Sequence, residues 1–316
     1  AVVERAQLPW ARVKPDVGTA LAFLSKSPRL VSLDANHCRE VTTDVLPQLV
    51  RLRQLRSLDL SCNKLITNQD IIFLLSSLRN LESLSLRKCT SITDHALLGL
   101  PITGRRLKYL DLRACPGIQG TFLSVVPRSS MPSARRRLGG ESATVSPNDP
   151  TALALETLRV MRLPDQLIAG LAALAPSLRE LTAQDARNVT DHGCEMLAQL
   201  RSLKCLKLRG CARITPAGMT AIASGLPHLE TLGLRGRRGC QLSALEGLGE
   251  LKSLRLSWKT DMHDDHISSL VVRFPHLTKL DLSNCVHLTD NGIRIALAVL
   301  PLHTFKVLEC PLITDV

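Results

Sequence analysis

Cysteine is the most regularly spaced reactive residue in this chain, and a thiol can ligate metal, exchange disulfides or act as a nucleophile. Ten cysteines are present. Cys38, Cys89, Cys115, Cys211, Cys285 and Cys310 each close a nine-residue segment of the form L-x-x-L-x-L-x-x-C, with Ala35 for one Leu in the first and Phe305 and Val307 for two in the last, and Asn63 fills the same ninth position once. Zinc needs four converging ligands, usually from C-x-x-C pairs, and no C-x-x-C occurs. Ten cysteines in 316 residues are too dilute for a disulfide scaffold. The thiols are expected to be free and structural, turned inward after a strand to hydrogen-bond loop backbone. His263 and His266 in MHDDH have the spacing of two metal-ligating imidazoles. No third ligand accompanies them, and a solvated helix N-terminus is the better reading. Phosphate loop, nucleophile elbow, H-E-x-x-H and dinucleotide fingerprint are all absent. The adjacent carboxylates Asp264 and Asp265 point to different sides of a helix. No catalytic residue, cofactor or metal is expected.

The elements that position these residues come from an internal repeat. The nine-residue motif starts at Leu30, Leu55, Leu81, Leu107, Leu155, Leu178, Leu203, Leu229, Leu251, Leu277 and Leu302. Successive steps are 25, 26, 26, 48, 23, 25, 26, 22, 26 and 25 residues. Such a chain stacks as a solenoid, so the two-domain expectation for its length does not apply. A second signature follows the ninth position: SITD (Ser91 to Asp94), NVTD (Asn188 to Asp191), RITP (Arg213 to Pro216), HLTD (His287 to Asp290) and LITD (Leu312 to Asp315), with VTTD (Val41 to Asp44) and LITN (Leu65 to Asn68) close to it. Its Thr is a helix N-cap, and the following Asp favours the positive end of the helix dipole. Ile71, Leu74, Leu75 and Leu78 form one apolar stripe, and Ile293, Leu297 and Leu300 another. Each repeat is therefore a short strand, a loop and a helix. The repeats at Leu155 and Leu229 lack the Thr, which predicts reduced helices there.

These motifs resemble the cysteine-containing leucine-rich repeats that follow the F-box in F-box/LRR proteins. The resemblance covers Leu30 to Val316 apart from one insertion. It implies an α/β leucine-rich repeat solenoid, with parallel concave strands, convex helices and about eleven repeats. It also implies a partner-binding scaffold, of the kind that serves as a ubiquitin-ligase adaptor. Only 29 residues precede Leu30, and QLPW (Gln7 to Trp10) is not followed by the three-helix apolar pattern of an F-box. The expected organisation is an N-terminal cap at 1–29, repeats one to four at 30–127, a flexible basic insertion at 128–150, and repeats five to eleven at 151–316. The insertion accounts for the 48-residue step and is rich in Ser, Pro, Gly and Arg, with no apolar period.

Forty Lys and Arg against 28 Asp and Glu leave +12, a surface that favours acidic partners. Hydrophobic residues make up 45% and aromatics 3%, so the core must be aliphatic, and no apolar run is long enough for a membrane span. An intracellular, reducing setting is expected: the cytoplasm, or the mitochondrion had a leader been removed. On each strand, positions four and six point inward while three, five and seven face solvent. Positions five and seven place Arg159, Lys207, Arg209, Arg235 and Arg255 on one face, with Trp258 at position eight beside them. Strands about 4.8 Å apart spread this patch over roughly 19 Å. Trp and Arg are frequent interface anchors. These six residues are the expected centre of a surface for an acidic protein partner, within a multi-subunit complex. The other reading is a basic ribonucleoprotein subunit on RNA phosphates. Stacking readout of RNA bases would need more exposed rings than this chain has. Deleting Arg128 to Pro150 should leave the repeats folded, with the melting temperature unchanged to within a few degrees by calorimetry, because the segment lies outside the repeat register.

Overall fold

The computed structural model describes residues 4–7, 29–38, 45–123, 152–236, 242–257 and 261–314. The expected insertion at 128–150, the cap Thr43 with Asp44, Trp258 and all but a few residues of the N-terminal segment lie outside these. The chain divides into two compact units, Ala1–Arg162 with Ala173–Leu178, and Leu163–Ala172 with Arg179–Val316. In the first unit, strands β1 (Arg5–Gln7), β2 (Ser32–Asp34), β3 (Ser57–Asp59), β4 (Ser83–Ser85), β5 (Tyr109–Leu112) and β6 (Thr157–Arg162) pair in parallel, in chain order. The second unit repeats this with β7 (Glu180–Asp185), β8 (Cys205–Arg209), β9 (Thr231–Arg235), β10 (Ser253–Arg255), β11 (Lys279–Asp281) and β12 (Thr304–Lys306). Eleven strands coincide with the eleven motifs. The twelfth, β1, carries no leucine motif and hydrogen-bonds the edge of β2, where the Glu4 carbonyl accepts from Val31 and Ser32.

Register follows from the leucines. Leu33, Leu58, Leu84, Leu110 and Leu158 are successive partners in the first unit, and Leu181, Leu206, Leu232, Leu254, Leu280 and Phe305 in the second. A slip of one residue would turn this whole column to solvent, so the pattern permits one register only. The leucines of both columns are almost wholly buried.

The helices on the other side are α1 (Leu46–Leu49), α2 (Asn68–Ser77), α3 (Leu100–Thr103), α4 (Asp165–Leu174), α5 (Asp191–Leu197), α6 (Pro216–Gly225), α7 (Asp264–Arg273) and α8 (Asp290–Val299). Ile71, Leu74, Leu75 and Leu78 are buried along α2 as the stripe requires. The second expected stripe differs. On α8, Gly292, Ala296 and Leu300 face inward, while Leu297 is 55% exposed. Small residues four apart let the helix axis approach closely, and Leu297, one position past Ala296, is thereby rotated outward.

The repeat at Leu229 has the reduced helix expected, a single 3-10 turn at Leu242–Leu245. The repeat at Leu155 does not, for α4 runs ten residues without a Thr cap. Its start is set by Pro164, whose carbonyl accepts from Leu167 and Ile168, with Asp165 in the first turn. In the repeat at Leu81, Thr93 is followed only by a 3-10 turn and the short α3, where Pro101 lies at the start. A proline can begin a helix there but cannot continue one from the preceding turn.

The Asp that opens α4, α5, α7 and α8 does more than meet the dipole. Asp165 accepts from Thr190 N at 3.1 Å and Oγ1 at 2.5 Å, one repeat further on. Asp191 does the same for Thr215 at 2.8 and 2.5 Å, Asp264 for Thr289 at 3.1 and 2.5 Å, and Asp290 for Thr314 at 2.9 and 2.6 Å. Asn68 bonds Thr93 through both its amide atoms. The Thr hydroxyl thus accepts from its own helix and donates to the previous repeat's carboxylate. These bonds hold Asp290 below the ordinary carboxyl range, the Thr314 hydroxyl contributing most.

A glycine completes three of these linkages: Gly193, Gly218 and Gly292, third in their helices. A Cβ added at any of them would collide with the carboxylate arriving from the previous repeat, from Asp165, Asp191 and Asp264 respectively. Helix propensity by itself favours Ala over Gly by about 1 kcal/mol. The collision reverses that sign. Gly193→Ala is expected to destabilise by about 1–3 kcal/mol, and the loss should largely vanish in an Asp165→Ala background, as read by a denaturant-unfolding double-mutant cycle.

Candidate partner-binding surface

The cysteines end each strand in a tight turn. In the turn at Cys89 the ninth residue's N–H reaches the carbonyl of the sixth at 3.0 Å. The eighth residue takes a left-handed conformation in seven repeats: His37 (φ 60°), Cys62 (φ 64°), Lys88 (φ 61°), Ala114 (φ 57°), Gly210 (φ 79°), Asn284 (φ 63°) and Glu309 (φ 57°). Most of these are residue types for which that conformation is unfavourable. It aims the N–H of His37, Cys62, Lys88, Gly210 and Asn284 at the seventh-position carbonyl of the next repeat, at 2.6–2.9 Å. The ninth side chain reaches the other way. Cys89 Sγ donates to Leu60 O at 3.2 Å, Cys115 to Leu86 O at 3.0 Å, Cys285 to Leu256 O at 3.6 Å and Cys310 to Leu282 O at 3.4 Å. Asn63 substitutes an amide, bonding Ala35 O at 2.9 Å and Leu60 O at 2.8 Å. Cys211 departs from the pattern: the preceding strand continues to Asp185, and its thiol lies near the carbonyls of Leu208 and Arg235.

Burial, chiefly, pushes the Cys89 thiol up to about 12, Cys115 to about 11 and Cys194 to about 12. Reactive thiols are lowered, not raised. The described cysteines form no disulfide, and among the described residues no group of three His, Cys, Asp or Glu could hold a metal. The MHDDH pair has a third neighbour that spacing did not show. His287, one repeat on, stacks on His263 at 4.8 Å between ring centroids, while His263 and His266 lie 6.1 Å apart. Asp264 meanwhile is spent on Thr289.

The exposed strand face is where side chains are available. In the second unit, position five reads in register Lys207, Gly233, Arg255, Asp281 and Lys306, and at position seven Arg209 pairs with Arg235. The structure thus brings four of the expected residues, Lys207, Arg209, Arg235 and Arg255, onto three consecutive strands. They are not all alike. Arg255 Nε lies 2.7 Å from Asp281 Oδ2, and Gly233 separates it from Lys207. For Lys207 and Arg209 no ion pair exists among the described residues. Arg159 belongs to the first unit, where its guanidinium lies 5.4 Å from the centre of the Tyr109 ring and donates to the phenol oxygen at 3.4 Å. Trp258 lies outside the described residues.

Where position five is Asp, it serves its own turn. Asp34, Asp59, Asp111 and Asp281 accept from the backbone N–H two residues on, at 2.8–3.1 Å. Asp111, 2% exposed, also grips Arg113 at 2.6–3.0 Å. Other acids are taken at position two. Glu82 joins Arg56 at 3.1 Å to Lys108 at 2.8 Å, and Glu230 joins Lys204 at 3.1 Å to Lys252 at 3.0 Å. Hydrogen bonds from Lys108 and Lys252, first among several contributions, hold these two carboxyls below their ordinary range. Sequence reasoning missed Lys279 at position three and did not give Lys306 a role; both border a hollow of about 200 Å³ over Gly233. Tabulating position three beside five and seven would have found Lys279.

Parallel strands in leucine register, with recurring cysteine turns and capped helices, define a leucine-rich repeat solenoid. A family model described as leucine-rich repeat matches residues 52–75, 199–223 and 275–294. The chain carries leucine-rich repeats of the cysteine-containing kind. It is 30% identical over 158 residues to antagonist of mitotic exit network protein 1 of Eremothecium gossypii, covering 47% of this chain and 40% of that protein. It is 33% identical over 147 residues to F-box/LRR-repeat protein 12 of Bos taurus, covering 42% and 45%. The chain therefore spans under half the length of these relatives. Solved structures of the same fold include an internalin from Listeria monocytogenes (TM-score 0.52, 18% identity, covering 89% of this chain and 75% of that one) and the yeast Rad7–Elc1 complex (TM-score 0.54, 17% identity, 98% and 85%). The TLR13–ssRNA13 complex aligns with TM-score 0.54 and 16% identity over 98% of this chain and 44% of that one. No helix among the described residues is long and apolar enough to cross a membrane.

In a native sample treated with a small maleimide, Cys62 and Cys205, both partly exposed, should label first among the described thiols. Cys89, Cys115 and Cys194 should label only on unfolding. Because the folded pKa of Cys89 exceeds its unfolded value, its contribution to stability is complete below pH 9 and is lost as the pH rises toward 12. Wild type should thus lose more stability over that interval than Cys89→Ala, measured by denaturant unfolding at each pH.

Proposed function

We propose that this chain is a non-catalytic interaction scaffold that docks an acidic protein surface on the strand face of its second unit, as one subunit of a larger assembly. The observation that carries this reading is the charge left over on that face. Lys207 and Arg209 lie on one strand, Arg235 stands beside Arg209 on the next, and nearby carboxylates are engaged in turns or in the position-two ion pairs. Lys207 and Arg209, which form no ion pair among the described residues, gain from an acidic ligand what the fold itself does not supply. The similarity to F-box/LRR-repeat protein 12 supports a substrate-receptor role within such an assembly, and the fold shared with Rad7 in its complex with Elc1 is consistent with it. Of the six residues expected, Lys207, Arg209, Arg235 and Arg255 lie on that face, while Arg159 belongs to the first unit and Trp258 lies outside the described residues.

Arg255 is a poor place for a charge reversal, since a Glu there would face Asp281 and confound folding with binding. Lys207→Glu with Arg209→Glu avoids this. Affinity purification of the wild-type chain should recover an acidic protein that the double variant loses, with less than about 0.5 kcal/mol change in stability, the usual effect of surface substitutions. Retention of the same protein by the variant would overturn the reading. Recovery that is instead abolished by ribonuclease, with a steep linear dependence on log salt, would identify RNA phosphate as the ligand.

A further inference from the structure

We infer that the hollow over Gly233 is a binding site for one phosphoryl group, carried on a Ser or Thr of an acidic peptide segment. This rests on the proposed docking of an acidic partner and names the group that the partner inserts. The hollow exists because position five of β9 has no side chain. Flanking position-five residues are Lys207 on β8 and Arg255 on β10, and a Cβ at Gly233 would lie only 3.3 Å from Lys207 Cγ and 3.8 Å from Arg255 Cβ. The walls carry four cations, Lys207, Arg255, Lys279 and Lys306, and three hydroxyls, Thr231, Ser253 and Thr304. One carboxylate is present, Asp281, and it is held by Arg255 and by the Ser283 N–H. Among the described residues, Lys207, Lys279 and Lys306 form no ion pair.

Three unpaired ammonium groups around one notch exceed what a single carboxylate can satisfy. A phosphoryl group brings close to two charges and three strong acceptor oxygens. Lysine, a flexible point charge, accommodates a tetrahedral anion without the bidentate geometry that Arg requires. Arg255 meets Asp281 through Nε, which leaves its terminal N–H groups outside that contact. A nucleic-acid backbone would need a track of such sites and rings for its bases. The second unit's described strands carry one glycine, Gly233, and their one ring, Phe305, sits in the leucine column.

The test is fluorescence anisotropy on the full chain, with a degenerate peptide pool that has acidic flanks and a central phosphoserine. The same pool with unmodified serine and a single-stranded oligouridine are compared. The phosphorylated pool should bind at least about tenfold more tightly than the unmodified one, the scale of one charge-assisted hydrogen bond, and inorganic phosphate should compete for the difference. Gly233→Val, which fills the notch with a residue suited to a strand, should erase that preference. Lys279→Ala with Lys306→Ala, both exposed and outside the core, should erase it independently of any packing change at Gly233. Equal binding of the two pools would overturn the site. If Lys207→Glu with Arg209→Glu weakens both pools while phosphorylation and the notch variants change nothing, the acidic docking face stands and the phosphoryl site falls. Tighter binding of oligouridine than of either pool would overturn both.

Discussion

Each repeat of this protein is too short to satisfy its own polar backbone, and the structure depends on handing those groups sideways. A strand of three to six residues leaves a turn, and a helix of at most ten leaves first-turn N–H groups, with too little chain to bury them. The eighth residue therefore accepts an unfavourable left-handed conformation so that its N–H reaches the next repeat's carbonyl. The ninth sends a thiol or amide back to the previous one. Asp165, Asp191, Asp264 and Asp290 do the same for the helix caps. Every such bond crosses a repeat boundary, so stability within each unit is a nearest-neighbour property rather than a property of single repeats.

That constraint also decides which residues are free to bind. The leucine columns fix positions four and six, and the turn fixes eight and nine, which leaves three, five and seven. Wherever position five is Asp, the turn claims it. At Lys207, Gly233, Arg255 and Lys306 it does not, and these four surround the basic hollow. Exposed ion pairs such as Lys204–Glu230–Lys252 contribute little to stability. Their larger consequence is to take up acid along the edge of the face, so that the excess of Lys and Arg appears on the strands themselves.

Thiols follow the same economy of positions. A cysteine at the ninth place is small enough for the turn, apolar enough for burial, and still a weak donor to one carbonyl. Asn63 shows that the donor matters, because an amide makes the same bond there. The raised thiols at Cys89 and Cys115 follow from this burial, and they mark structural residues rather than nucleophiles.

Eleven of the twelve described strands, their order, their inward leucines and the inward cysteines were determined by the sequence alone, because a period of about 25 residues admits one stacking and alternation admits one register. The capping threonines were legible for the same reason. What the carboxylates and glycines after them do was not, since Asp165 and Thr190, or Asp264 and Gly292, lie a full repeat apart and no local pattern links them. Strand β1 has no leucine motif, and α4 begins at Pro164 without the expected Thr, so neither could be read from the repeat. The basic face was predicted as a set of charges, but sequence cannot say which charges are already paired. Only the tertiary structure places Asp281 against Arg255 and Tyr109 under Arg159, while leaving Lys207, Lys279 and Lys306 around the space above Gly233, because pairing depends on side-chain reach between neighbouring strands rather than on position within one.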